Sequence, residues 1–149
     1  IISKSVCARS LAQIAAELFD TKPLRFGYDQ FYMAGGTLPQ ENGSLLEASS
    51  MQGVVGGALI ALTDSEKDPE VLSIFPSQAG NISFFKPSLI LNFEELATRS
   101  TGKFLMFVYT KSKTMYILQE KDPHTHCFKR LGYVFGDKLN EESHPIVYS

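Results

Sequence analysis

The sequence has no tryptophan, two cysteines and no excess of positive charge. Each shortage closes off a class of function. Cys7 and Cys127 stand far apart in the chain. They can be joined by at most one disulfide, and the expected state is two free thiols in a reducing compartment. The formal net charge is -2, with no cluster of Lys and Arg. That excludes a phosphate-tracking surface, so no nucleic-acid partner is expected. No apolar run approaches the roughly 18 residues that span a bilayer. The longest, Val54 to Leu62, is broken by Gly56-Gly57. No membrane span is therefore expected, and the expected location is the cytoplasm. The chain opens on Ile1 rather than Met, as in a fragment or a processed chain.

What is present suits one soluble globular domain over 1-149. Hydrophobic residues make up 44% and charged residues 20%. Phe and Tyr are plentiful, at 11 and 6, which favours strands. Residues 5-19 predict a helix: Leu11, Ile14, Ala15 and Leu18 make one apolar stripe, Ser3 or Ser5 caps its start, and Pro23 stops it. From Leu24 the period becomes two, with Leu24, Phe26, Tyr28 and Tyr32 on one strand face. Gly35-Gly36 ends that strand and Pro39 to Ser44 is a loop. Further strands are expected at Val54 to Leu62, Val71 to Phe75, Ile82 to Phe85 and Ser88 to Phe93. Turns fall at Asp64 to Pro69 and Pro76 to Gly80. Phe104 to Thr110 and Thr114 to Gln119 read as a hairpin about Lys-Ser-Lys, and Phe128 to Phe135 as a last strand. The tail 136-149 reads as polar and irregular. About eight strands after one helix predict a β-sandwich or barrel over 24-135.

Several constellations invite chemistry. KDPHTHCF, at 121-128, is the most ligand-like stretch. On a strand His124 and His126 would share a face about 6 to 7 Å apart, suited to a common metal. Third ligands would be Glu120, Asp122 or His144. The plainer reading is a polar loop with two solvated histidines. Cys127 adjoins His126, but strand neighbours face opposite ways, which denies it that base; Cys7 reads as a buried structural thiol. No G-x-S-x-G element occurs, and neither Gly35-Gly36 nor Gly56-Gly57 has the context of a phosphate loop. Asp64, Glu66, Asp68 and Glu70 lack the ligand order of a calcium loop. Tyr28, Gln30 and Tyr32 share a strand face and would line a barrel mouth or fill a core.

The order of these segments carries a resemblance. IAAELFD is followed by KPLRFGYDQFYM, a loop, GGALIALTD, a polar turn, VLSIFPSQ, AGNISFF and KFLMFVY. Across residues 10 to 135 this resembles the phytanoyl-CoA hydroxylase-like family of Fe(II)/2-oxoglutarate oxygenases. The resemblance implies a mainly β fold with an N-terminal helix: a double-stranded β-helix, the cupin-like jelly roll. It also implies a His-x-Asp pair and a distal His that hold iron. The pair should fall in GSLLEASS, at 43-50, and the distal His near Leu91-Asn92-Phe93; neither stretch contains His. Lys103 stands where the family's arginine grips the 2-oxoglutarate carboxylate, and lysine offers a point charge in place of a fork. The resemblance thus implies a fold whose metal site is degenerate: no cofactor, no turnover, and a ligand-binding or interaction module for a small molecule or a protein. Candidate binding residues are Tyr28, Gln30 and Lys103.

Two enzymatic readings compete. MQGVVGGALIALTD followed by NISFFKPS looks like an α+β hotdog-fold acyl-CoA thioesterase. Val54 to Thr63 would then be a helix polarising the thioester carbonyl, with Glu47 or Asp64 as the carboxylate. Gly56-Gly57 within that helix would cost roughly 1 kcal/mol each. The other is an active metal-dependent oxygenase using His124 and His126. A homodimer is expected as the common soluble assembly.

Overall fold

The computed structural model describes residues 6-33, 43-66, 74-92, 101-122 and 124-149, the side chains of Val6 and Cys7 aside. Helix α1 (Val6–Leu18) packs on one face of an antiparallel sheet made by β1 (Leu24–Met33), β2 (Met51–Ala61), β3 (Ile82–Phe85), β4 (Lys103–Tyr116) and β5 (Ile146–Tyr148). The strand order is β3-β2-β4-β1-β5. Two short helices, α2 (Leu45–Ala48) and α3 (Thr125–Arg130), complete the described elements. The expected caps Ser3 and Ser5 lie outside the described residues.

The helix seats itself by small residues. Its buried stripe is Leu11, Ala12, Ala15 and Ala16, against Leu24, Ala58, Phe107 and Tyr109 of the sheet. The expected stripe is thereby rotated: Ile14 and Leu18 are exposed. Three alanines let the helix lie close to the strands, and that close fit outweighs the larger burial of Ile14. The helix ends at a left-handed Asp20 (φ 47°), with Thr21 N donating to Ala16 O at 3.0 Å and Asp20 N to Glu17 O at 3.3 Å. This 6→1 and 5→2 pair ends the helix before Pro23 is reached.

The opposite sheet face carries the larger core. Tyr28, Tyr32, Val54, Leu59, Phe104, Met106 and Val108 meet Leu45, Phe75, Leu91 and Phe128 there. A bulge at Gly27 divides β1 between the two cores: Phe26 pairs with Tyr109, and Tyr28 with Val108. The expected single face of Leu24, Phe26, Tyr28 and Tyr32 is therefore corrected. Leu24 and Phe26 face α1, and Tyr28 and Tyr32 face the other side. An extra residue reverses every side chain beyond it.

Three more expectations change. The hairpin about Lys-Ser-Lys is one continuous strand, since β4 runs from Lys103 to Tyr116. Lys111 to Thr114 bulge out opposite Gly53, and within the bulge Thr114 Oγ1 donates to Lys111 O at 2.8 Å. Flanking β1 and β2 both hydrogen-bond to β4, so the chain has no room to fold back on itself. Phe128 to Phe135 is helix α3 followed by a turn. The tail is not irregular: β5 pairs with β1, with Leu24 opposite Tyr148 and Arg25 opposite Ile146. Arg25 fastens it. Its guanidinium donates to His144 O, to Ser112 O at 3.1 Å and to the Glu141 carboxylate at 2.8 Å.

The strand at 82-85 and the turn before it match expectation. Val71 to Ser73 lie outside the described residues, and Ile74 and Phe75 are turn and bend. Of the expected strand at 88-93, the described part makes one bridge, Leu91 to Gly43. The Val54 to Thr63 helix of the hotdog reading is overturned, because β2 covers Met51 to Ala61 between β3 and β4. Gly57 shows why glycine is needed there: an added Cβ would lie 2.9 Å from Phe107 O and collide with the Phe85 ring.

Candidate functional site

The inner face of β1 meets the segment before α3. Asp122 organises this junction. Its Oδ2 accepts Ser50 N at 2.6 Å and its Oδ1 accepts His124 N at 2.8 Å. A buried carboxylate that accepts two backbone N–H groups is satisfied without a cation. Thr125 Oγ1 donates to Gln119 O at 2.7 Å and also meets the Ser50 hydroxyl. These bonds hold His124 over the sheet, where its ring stacks on Tyr28 with centroids 4.0 Å apart and planes at 29°.

Two buried polar atoms of this stack have no hydrogen-bond partner among the described residues: Tyr28 Oη and His124 Nε2. Burial pushes the Tyr28 hydroxyl pKa well up, and the charges of Asp122 and Tyr32 add to that. Burial also raises Tyr32. For His124 burial dominates and lowers the pKa; Asp122 and Asp29 pull it back up and His126 pushes it down. The junction therefore presents a protonated phenol and a neutral imidazole beside two carboxylates.

The other expected site residues are placed apart. Gln30 is half-buried and its Nε2 donates to Phe31 O at 3.1 Å. Lys103 is exposed at the start of β4, opposite Met33. It stands next to Phe104, which faces the inner core, so alternation turns Lys103 to the other sheet face. Tyr28 pairs further along the same strand, with Val108.

His124 and His126 do not share a strand face, because they sit at and within the first turn of a helix. His126 is exposed, and its Nε2 lies 3.4 Å from the exposed Cys127 Sγ. The expectation that these neighbours point apart is corrected for the same reason. The third histidine, His144, is enclosed elsewhere. It stacks on Phe128 with centroids 5.1 Å apart, and its Nδ1 meets Tyr133 Oη at 3.0 Å and Ser143 Oγ at 2.9 Å. Burial, helped by Arg25, lowers its pKa to about 4. Among the described residues no three His, Cys, Asp or Glu side chains gather as a metal-binding group. The chain has three histidines, and among the described residues they do not gather with a carboxylate as a two-histidine, one-carboxylate group would. Sequence reasoning missed Asp122 as the organiser of the junction; D-P-H reads as a turn, and nothing local says that its carboxylate reaches Ser50.

No protein-family model matches the sequence, and no curated protein matches it. Solved structures match in fold. The α-ketoglutarate-dependent non-heme carbocyclase SnoK of nogalamycin biosynthesis superposes with a TM-score of 0.62 at 17% identity, over 91% of this chain and 66% of its own. The epimerase SnoN of the same biosynthesis gives 0.61 at 15% identity, over 95% of this chain and 70% of its own. SnoN with Fe3+, α-ketoglutarate and nogalamycin RO bound gives 0.61 at 15%, over 93% and 70%. This chain thus spans about two thirds of the carbocyclase's length. At such identities the likeness is one of fold: the protein has a double-stranded β-helix like that of these α-ketoglutarate-dependent enzymes, with a curled antiparallel sheet behind one N-terminal helix. Among the described residues no helix is long and apolar enough to cross a membrane.

Proposed function

We propose that this protein uses the oxygenase fold as a ligand-binding module and does not turn over 2-oxoglutarate with Fe(II). The observation that carries the reading is the Tyr28–His124 stack, with two buried polar atoms that have no partner among the described residues and can bond a ligand. Leaving such atoms unpaired costs about 1–3 kcal/mol each, and a ligand's hydroxyl or amide relieves that cost. Electrostatics select the ligand. Asp122 and Asp29 act on this junction, so a dianion such as 2-oxoglutarate is disfavoured and a neutral hydrogen-bonding molecule is favoured. Arg25, three positions before Tyr28, is committed to Glu141 and two carbonyls. In this reading the chain descends from a phytanoyl-CoA hydroxylase-like enzyme whose His-x-Asp…His has been lost, as GSLLEASS at 43-50 suggests. Cytoplasmic residence goes with the exposed free thiol of Cys127.

The test is bound metal on purified protein, before and after anaerobic Fe(II), with 2-oxoglutarate binding followed in the same samples. The expected result is no stoichiometric iron and no 2-oxoglutarate binding. Near-stoichiometric iron that His124→Ala abolishes would overturn the proposal in favour of an active oxygenase.

A further inference from the structure

The turn after α3 is apolar where it meets solvent. Leu131, Val134 and Phe135 are 56%, 64% and 75% exposed. Three large apolar side chains within five residues make a patch rather than the scattered exposure common on surfaces. The turn is held firmly. Val134 N donates to Asp137 Oδ2 at 2.9 Å, and Asp137 N to Val134 O at 3.0 Å. Gly136, at φ 89°, donates to Tyr116 O at 2.9 Å, and Tyr116 N returns a bond to Asp137 O at 2.8 Å. The tip is thus bonded to the end of β4 and presents Phe135 outward with little conformational entropy left to lose.

The acids around the tip are more engaged than the bases. Asp137 bonds the turn's own backbone, and the exposed Glu141 is taken by Arg25 and by Ile146 N at 3.0 Å, which leaves the exposed Glu142 as the acid facing solvent nearby. The bases turn outward: Lys129, Arg130 and Lys138 are exposed and form no ion pair among the described residues. A local positive rim therefore stands on a chain of net charge -2.

We propose that this tip is a docking site for an anionic membrane surface, with Val134 and Phe135 entering the interface and Lys129, Arg130 and Lys138 facing the lipid phosphates. Apolar side chains flanked by Lys and Arg are the pattern of interfacial binding, in which a few inserted groups and electrostatic attraction suffice. A protein partner of ordinary size needs some 20–30 residues a side, far more than this tip offers. A second copy is disfavoured by symmetry, since a two-fold contact would set the basic rim against itself.

The test is co-sedimentation of the purified full chain with vesicles of equal parts phosphatidylserine and phosphatidylcholine, and with phosphatidylcholine alone. Binding to the anionic vesicles is expected, with little to the neutral ones and loss in high salt. Phe135→Asp should weaken the partition at least about tenfold, as should the Lys129→Glu, Arg130→Glu pair. Urea unfolding should be unchanged in both, since the altered side chains are exposed. No binding to anionic vesicles overturns the proposal, and so does binding that Phe135→Asp leaves intact. A dimer by light scattering that Phe135→Asp dissolves, without vesicle binding, would identify the tip as a self-interface. The proposal does not depend on the ligand-binding reading of the Tyr28–His124 junction.

Discussion

Tyr28 carries a buried hydroxyl with no partner among the described residues and a ring that stacks on His124. These two parts of one side chain make different demands. The ring contributes burial and stacking, while the hydroxyl costs desolvation that no atom of the described residues returns. Tyr28→Phe should leave stability of the ligand-free protein unchanged or raise it by up to about 1 kcal/mol in urea unfolding. A loss above that would mean the hydroxyl is bonded and would weaken the ligand reading. Gly57 makes the opposite case. Gly57→Ala forces a methyl onto Phe107 O and the Phe85 ring, and should cost about 1–3 kcal/mol in the same assay. Gly43→Ala meets nothing within 4 Å and should stay within about 0.5 kcal/mol.

At the scale of elements, the last strand depends on one side chain. β5 has three residues and forms an edge of the sheet beyond β1. So short a strand does not hold by its ladder alone. Arg25 reaches from β1 to the segment before it, taking His144 O and Glu141. Arg25→Leu takes the guanidinium donor from the His144 carbonyl and the Glu141 carboxylate and should destabilise by about 2–3 kcal/mol. Amide exchange should then accelerate first at 146-148, ahead of β4. The exposed Glu141 adds little by itself, as surface pairs do, so Glu141→Gln should be mild.

For the whole molecule, the buried histidines set a pH dependence. His144 is held at about 4, below its ordinary value. Above pH about 6.5 the imidazole is neutral in folded and unfolded chains alike, and stability is full. As pH falls from there toward about 4, the unfolded chain takes up a proton that the folded chain refuses, and stability drops. The loss from this group is at most about 3 kcal/mol. His124 is lowered too and acts in the same direction. Urea midpoints measured across this range should fall with pH, and His144→Gln should flatten the slope.

The N-terminal helix and the strands near 24-33, 51-61 and 82-85 were legible in the sequence, because period and turn chemistry are local. Ile82 to Phe85 and the helix over 6-18 are direct readings of that kind. The absence of histidine from 43-50 and from 91-93 is likewise written in the sequence alone. Three things were decided only by the tertiary structure. The bulge at Gly27 divided the β1 face between two cores. Pairing on both sides drew 103-116 into one strand where the turn residues read as a hairpin. Asp122 bonded the amide of Ser50, 72 positions away in sequence, and thereby placed His124 over Tyr28. In each case a long-range hydrogen bond or packing contact outweighed a local preference worth less than about 1 kcal/mol per residue, and such partners have no signature within a window of neighbouring residues.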